Sequence, residues 1–114
     1  MKGKVSHINR VTPEKVDMEG VKDTFIQWLI TKDDGAPNFA MRRFVVKPGG
    51  YSPLHTHPYE HEVYVLSGKG QVQIGDEVHD IEQGSFAFVP PDIIHQFRNT
   101  GDDDLVFLCI IPNV

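Results

Sequence analysis

The chain has little of what several classes of protein require. Its 114 residues include a single cysteine, Cys109, which excludes an internal disulfide and fits a reducing compartment. No apolar segment follows the basic residues near the N-terminus, so no secretory signal is visible. From these two features we expect a cytoplasmic protein.

Long apolar segments and basic clusters are also lacking. The longest unbroken apolar run, residues 105–111, is far shorter than the roughly 20 residues of a membrane-spanning helix. The net charge is −5, from 11 basic and 16 acidic residues, and no Lys/Arg cluster exceeds a pair. Nucleic-acid binding requires a concentrated positive surface. We therefore expect neither a membrane nor a nucleic acid among the partners.

The chain does contain many short segments with strand character. Its 10 Gly and 8 Pro separate pieces that alternate in polarity or are continuously apolar. These pieces are residues 24–31, 39–47, 62–66, 71–74, 77–81, 85–89, 95–98 and 105–111. We expect the second strand to stop at Pro48, and residues 12–15 to cap one short turn. Strands at this spacing predict an all-β sandwich or barrel, and the length fits one domain.

Four histidines carry the strongest chemical signal. His55, His57 and His61 lie within seven residues, and His95 follows 34 residues later. Imidazole is the commonest protein ligand for first-row transition metals near neutral pH. If the flanking segments are strands, His55 and His57 point to the same face. The pattern therefore predicts a site for one divalent transition metal.

The surroundings of these histidines resemble the two sequence motifs of the cupin superfamily. The first motif reads Gly, five residues, His-x-His, three or four residues, Glu, six residues, Gly, and it is matched by Gly49, His55, His57 and Gly68. The second motif reads Gly, five residues, Pro-x-Gly, two residues, His, three residues, Asn, and it is matched by Gly84, Pro90, His95 and Asn99. Both motifs occur in the expected order.

Two positions depart from these motifs. Asp92 stands where the second motif has Gly, and Asp tolerates the geometry of a tight turn. His61 stands where many cupins have an acidic ligand, with Glu60 and Glu62 beside it. On a strand, both glutamates would share the face opposite His61. We therefore predict a metal site of four histidines: His55, His57, His61 and His95.

The resemblance implies a double-stranded β-helix, the jelly-roll barrel of cupins, as a single domain over residues 1–114. The metal motifs would occupy residues 49–68 and 84–99, and residues 1–23 would form an N-terminal strand or arm. The variant resembles small single-domain bacterial cupins of the cupin 2 conserved-barrel type that hold manganese in a four-histidine site. Manganese is favoured, although four imidazoles also accept Fe, Ni, Cu, Co or Zn. Without a carboxylate ligand, the metal keeps its full positive charge and favours anionic ligands.

Residues on the last two predicted strands are candidates for the lining of the metal pocket. Parity places Phe97 on the face of His95, and Phe107 and Cys109 on one face of the last strand, which borders the pocket in the resembling family. Cys109 is either part of that lining or a small buried hydrophobe.

Three further candidates leave alternatives open. Arg42 and Arg43 occupy adjacent strand positions, so one of them faces inward, where an arginine suits a carboxylate. The sequence does not distinguish between them. Tyr59 flanks the first motif and either borders the mouth of the pocket or packs in the core.

These features favour a metal-dependent enzyme acting on a small organic molecule, including an anionic one. Oxygenase-like chemistry suits a redox metal, and isomerase- or decarboxylase-like chemistry suits Mn or Zn. The alternative is a non-catalytic sensor or carrier of a small molecule or metal, because no separate acid–base residue stands out. Tyr64 and Leu66 are expected to face outward, and covering them predicts a homodimer.

Overall fold

A computed structural model describes residues 2–113, and strands form almost all the regular structure in that part of the chain. The nine strands are β1 (Glu14–Lys15), β2 (Lys22–Ile30), β3 (Phe39–Tyr51), β4 (His61–Ser67), β5 (Lys69–Ile74), β6 (Glu77–Glu82), β7 (Phe86–Val89), β8 (His95–Asn99) and β9 (Leu105–Pro112). Two single-turn 3₁₀ helices cover Ile8–Arg10 and Lys32–Asp34. No helix among the described residues is long and apolar enough to cross a membrane.

The strands pair antiparallel throughout, in the order β6-β5-β8-β3-β9-β4-β7, and β2 joins β3 with β1 at its other edge. Non-consecutive strands are neighbours, so long connections cross between the two halves of the sheet. The sheet curls into a nearly closed jelly-roll barrel. The predicted all-β fold class is therefore confirmed.

Alternation along the strands builds the barrel interior. On β4, His61, Val63 and Val65 are buried, while the residues between them are exposed. On β9, Phe107 and Cys109 face the same interior and are each 2% exposed. The Phe107 ring stacks against those of two other core phenylalanines, Phe44 and Phe97, at centroid separations of 5.3 and 4.5 Å. Each fully buried side chain of this size stabilises the fold by about 1.5–3 kcal/mol.

The predicted end of the second strand at Pro48 was wrong, because β3 continues to Tyr51. Thr24 pairs with Val46 and Lys22 with Tyr51, so residues 47–50 bulge opposite one residue of β2. A bulge absorbs extra residues without ending the pairing. Pro-Gly-Gly here shapes a bulge and does not terminate the strand.

The N-terminal segment also differs from expectation. The short turn expected at residues 12–15 is replaced by β1, which pairs with β2. The segment before β1 contacts the outer side of the barrel, where Gln27 Nε2 donates a 2.7 Å hydrogen bond to the carbonyl of Val11. Lys4 forms a 2.9 Å ion pair with Asp34.

Asn99 ties three parts of the barrel together at the end of β8. Its buried amide donates to the carbonyls of Val46 on β3, at 2.8 Å, and of Asp103, at 2.7 Å. Its Oδ1 accepts a 2.8 Å hydrogen bond from the amide of Gly101. The side chain therefore fixes the turn between β8 and β9.

We expect Asn99→Ala to lower the free energy of unfolding by about 2–4 kcal/mol, because it leaves buried backbone groups without partners. Urea denaturation of the full chain measures this change. Thr100→Ala, at the exposed neighbouring position, is the matched control and should change stability by less than about 0.5 kcal/mol. Equal stabilities of the two variants would contradict the role of Asn99.

Candidate metal centre and its cavity

A cavity of about 440 Å³ opens into the barrel interior beside the histidines. His61 reaches it from β4, and His55 and His57 reach it from the loop between β3 and β4. His95, the first residue of β8, lies behind them and is 3% exposed. The structure thus brings all four predicted histidines together.

The loop histidines are positioned by backbone contacts to β8. His55 does not lie in a regular strand, contrary to the condition under which its orientation was predicted. Two backbone hydrogen bonds, from His55 N to His95 O at 3.2 Å and from His95 N to His55 O at 3.0 Å, form an isolated bridge instead. The carbonyl of His57 accepts a 2.8 Å bond from the amide of Asp92. Asp92 adopts φ 64°, the left-handed conformation expected of a residue in a glycine position.

Three of the histidines present a cluster of ligand nitrogens. One ring nitrogen from each of His55, His57 and His95 lies within 4.8 Å of the other two. Nδ1 of His57 lies 2.9 Å from the Tyr59 carbonyl, and Nδ1 of His95 lies 2.9 Å from the Ile93 carbonyl. A carbonyl only accepts, so each Nδ1 donates and each Nε2 is unprotonated. His95 Nε2 is buried without a partner, as expected of a nitrogen that faces a metal.

The environment keeps all four imidazoles neutral. Burial, with smaller contributions from the neighbouring His95, His57 and Arg42, lowers the pKa of His55 to about 4. Burial and the Arg42 charge together lower the pKa of His61 to about 2. The pKa values of His57 and His95 are also lowered, chiefly by burial. Metal binding requires unprotonated imidazole, and at neutral pH these rings satisfy that requirement.

His61 differs from the other three histidines in its hydrogen bonds. Its Nδ1 lies 3.1 Å from Arg42 Nη2 and 2.9 Å from Cys109 Sγ. A guanidinium only donates, so Nδ1 accepts and the neutral ring carries its proton on Nε2. That Nε2 lies 2.5 Å from His57 Nε2. To serve as a fourth ligand, His61 would have to release this proton or move it to Nδ1.

The open alternative between the two arginines is resolved by the structure. Arg42 faces inward, is 8% exposed and lines the cavity. Arg43 lies on the outer face, where its Nη1 donates a 2.7 Å hydrogen bond to Gln27 Oε1. Arg43 is therefore not a lining residue, because adjacent strand positions point to opposite faces.

The other lining candidates border the cavity. Tyr59 stacks on His57 with ring centroids 3.8 Å apart, and Phe97, Phe107 and Cys109 form part of the wall. Burial raises the pKa of the Cys109 thiol, which keeps it neutral. Tyr59 thus both borders the mouth and supports a histidine.

Sequence reasoning missed the apolar wall on the N-terminal side of the cavity, formed by Val16, Met18, Ile26, Trp28 and Phe44. Trp28 pairs with Arg42, and Ile26 with Phe44, across β2 and β3. Once Arg42 is known to face inward, this register places Trp28 and Ile26 on the same face. The pairing of β2 with β3 therefore shows which face of β2 lines the cavity, whereas the residue pattern of β2 alone does not.

Acid should destabilise the metal-free protein through these histidines. Their folded-state pKa values lie below 6.5, so the unfolded chain takes up protons first as the pH falls. Stability therefore declines from pH 6.5 towards the folded pKa of about 4 for His55, and further down for His61. We expect His61→Gln to flatten this decline in thermal midpoint between neutral pH and pH 4.

The matched control is His79→Gln, because His79 is exposed on β6. Its decline should match that of the wild-type chain, since carboxylates titrate equally in both. If His61→Gln followed the same curve as His79→Gln, burial of His61 would not be the source of the pH dependence.

Comparison with known proteins supports the same fold. A family profile described as a cupin domain matches residues 42–111. The oxalate-binding protein of Thermotoga maritima is 32% identical over 115 residues, covering 96% of this chain and 93% of that protein. Protein SchB of Streptomyces halstedii is 42% identical over 69 residues, covering 60% and 50%. A 1-methylthio-D-xylulose 5-phosphate methylsulfurylase of Rhodospirillum rubrum is 37% identical over 71 residues, covering 62% and 46%. The chain thus spans about half the length of the last two relatives.

Two solved structures resemble the whole chain. The polyketide cyclase RemF from Streptomyces resistomycificus has a TM-score of 0.90 and 33% identity, covering 97% of this chain and 80% of that one. A structure described as a predicted oxalate decarboxylase, from Thermotoga maritima, has a TM-score of 0.87 and 27% identity, covering 97% and 100%. The similarity therefore includes the N-terminal strands that lie outside the profile match.

Proposed function

This chain belongs to the cupin family, and on that premise we propose that it is a metal-dependent enzyme acting on a small organic molecule bound beside its histidines. His55, His57 and His95 would hold a divalent transition metal, and His61 would complete the four-histidine set. When bound, the metal supplies Lewis acidity toward an oxygen of the organic molecule. Manganese is the favoured metal, on the strength of the resemblance to four-histidine cupins.

The ligand cluster is the observation that carries this proposal. Three neutral imidazoles converge within 4.8 Å, and backbone carbonyls orient two of them through Nδ1. Outer hydrogen bonds of this kind fix the tautomer of metal-binding histidines. A structural histidine has no need of a buried and unpartnered nitrogen such as His95 Nε2.

The cavity beside the cluster supports an organic substrate. Aromatic and aliphatic side chains line it beside the histidines and Arg42, which suits an organic molecule with both apolar and polar parts. Within the family, RemF is described as a polyketide cyclase, and a second relative as a methylsulfurylase. We infer that this chain also takes an organic molecule with oxygen atoms near the histidines, without assigning either named reaction to it.

Metal titration tests the proposed ligand set. We expect wild-type protein to bind one equivalent of Mn²⁺, with a rise in thermal midpoint on loading. Replacing His55, His57 or His95 by Ala should weaken binding by more than the roughly 10–100-fold that loss of an outer partner costs. His61→Gln should weaken it less, because Nε2 of His61 carries a proton in the metal-free site. Calorimetry and elemental analysis measure both effects, and Fe, Co, Ni, Cu and Zn are loaded in parallel.

His79→Ala serves as the control, because it removes an exposed histidine of β6 that belongs to neither motif. Its metal affinity should equal that of the wild type. The proposal fails if the wild-type chain binds no divalent metal at stoichiometric concentration, or if the three cluster variants bind as well as the control.

A non-catalytic carrier or sensor is the second candidate, and one observation favours it. No aspartate or glutamate lines the cavity among the described residues, so no carboxylate is available there for proton transfer. The Thermotoga maritima relative that aligns over nearly the whole chain is named for oxalate binding. Oxygen uptake and product analysis with phenols, diketones and keto acids on Mn- and Fe-loaded protein separate the two functions. Turnover lost in His55→Ala supports the enzyme, whereas tight stoichiometric binding without turnover supports the carrier.

We also propose that the protein forms a homodimer through an outer apolar face, which comprises Tyr64, Phe86, Phe88, Leu108 and Ile110. Phe86 is 83% exposed and Phe88 57% exposed, so isolated protein would leave large apolar surface in water. β7 pairs with β4 alone among the described strands and keeps a free edge. A second copy related by a two-fold axis would cover both faces and both edges at once.

We expect Phe86→Asp to convert this dimer into a monomer, because it places a charge within the apolar contact. Light scattering coupled to size-exclusion chromatography gives the mass directly. Val78→Asp alters an apolar side chain of 50% exposure elsewhere on the barrel and should leave the dimer intact. A monomeric wild-type chain at high concentration would contradict the proposal.

A further inference from the structure

Arg42 carries a buried positive charge with no acidic partner among residues 2–113. Its side chain is 8% exposed, and the ion pairs in the described part of the chain involve other residues. Burying an unpaired charge is costly, and proteins normally compensate it with an opposite charge. The compensation for Arg42 must therefore come from outside the described structure.

The groups that surround the guanidinium are neutral. Nη2 lies 3.1 Å from His61 Nδ1 and 2.9 Å from Cys109 Sγ. The guanidinium carbon lies 4.9 Å from the ring centre of Phe44 and 5.5 Å from that of Trp28. Aromatic faces attract the cation without cancelling its charge. Nε makes no hydrogen bond and is buried, so donor capacity remains unused.

No carboxylate among residues 2–113 lines the cavity beside Arg42, so an anion that pairs with Arg42 would have to enter this cavity. We propose that Arg42 is the anion-recognition residue of this cavity, and that the natural ligand is an apolar-bodied organic anion such as an aromatic carboxylate or enolate. The apolar body would lie against Trp28, Phe44 and Met18, and the anionic oxygen would approach the guanidinium. This inference rests on the proposed function, because it names the class of molecule bound beside the histidines.

Arg42 lies close enough to the histidine cluster for a single bound molecule to contact both. His61 separates the guanidinium from His57, since its Nδ1 contacts Arg42 and its Nε2 contacts His57. Arg42 therefore lies one imidazole ring away from the ligand cluster. A molecule with two oxygen functions could engage both the histidine cluster and the guanidinium. An organic cation would meet repulsion from the guanidinium.

Matched probes of equal shape and different charge test the inference. Calorimetry of Mn-loaded, full-length protein compares 2-naphthoate with 2-naphthamide. We expect the carboxylate to bind about tenfold or more tightly than the amide, since hydrogen bonds to an ionised partner are about twice as strong as neutral ones. The preference should persist after chelation of the metal. Equal affinities for the two probes, or a preference that disappears with the metal, would overturn the role of Arg42.

Variants of Arg42 distinguish its binding of an anion from its role in positioning His61. Arg42→Met should abolish the preference for the carboxylate while keeping amide affinity within about twofold, because methionine preserves the apolar contacts. Arg42→Lys keeps the charge and should retain part of the preference. Arg43→Met, on the outer face of the same strand, should behave as wild type. An Arg42→Met protein that still prefers the carboxylate would show that Arg42 only positions His61.

Two further results distinguish this inference from the proposed function. A chain that binds no metal but prefers 2-naphthoate through Arg42 would refute the metal-dependent function and retain the anion site. Stoichiometric Mn²⁺ binding without any preference for the carboxylate would do the reverse. Oxalate, which has no apolar body, should bind at least about tenfold more weakly than 2-naphthoate if the aromatic wall contributes. Equal binding of oxalate would overturn the assignment of an apolar ligand.

Discussion

The pair of backbone hydrogen bonds between His55 and His95 is the contact on which the rest of the site depends. His55 and His57 lie in a loop, where the regular pairing of the sheet does not hold them. The bridge fixes this loop against β8. A second contact to β8 lies nearby, where the Ser52 hydroxyl accepts a 2.8 Å hydrogen bond from the amide of Phe97. Because the loop is held at Ser52 and at His55, three imidazoles from two separate motifs can share one small volume.

The site combines neutral histidines and a neutral thiol with one charged guanidinium. Burial keeps the histidines and Cys109 uncharged, because it lowers the pKa of an imidazole and raises the pKa of a thiol. Arg42 stays charged because a guanidinium does not deprotonate in proteins. The same guanidinium holds His61 in the tautomer with Nε2 protonated. The two ends of the site are thus linked, since any ligand that draws Arg42 away also changes which nitrogen of His61 can accept.

The fold was largely predictable from the residue pattern, and the details of the site were not. Alternation and turn residues locate the eight principal strands, because one face of each is buried. The end of β3 was missed because a proline and two glycines can form either a bulge or a stop, and only pairing with β2 distinguishes them. Parity showed that one of Arg42 and Arg43 faces inward, but the choice depends on the register with β9. The proton position on His61 depends on contacts with β3 and β9 that local sequence does not contain.

The apolar side chains that line the cavity favour an organic ligand. A site that only held a metal would need the histidines and their carbonyl partners, which occupy one part of the cavity. Met18 and Trp28 at the mouth are 52% and 44% exposed, and apolar surface in water is unfavourable by about 25 cal/mol per Å². Binding a flat apolar molecule would return this surface to an apolar environment. The exposed ring of Trp28, the cation beside it and the neutral imidazoles behind it are best explained together, as the body, anion and oxygen sites of one ligand.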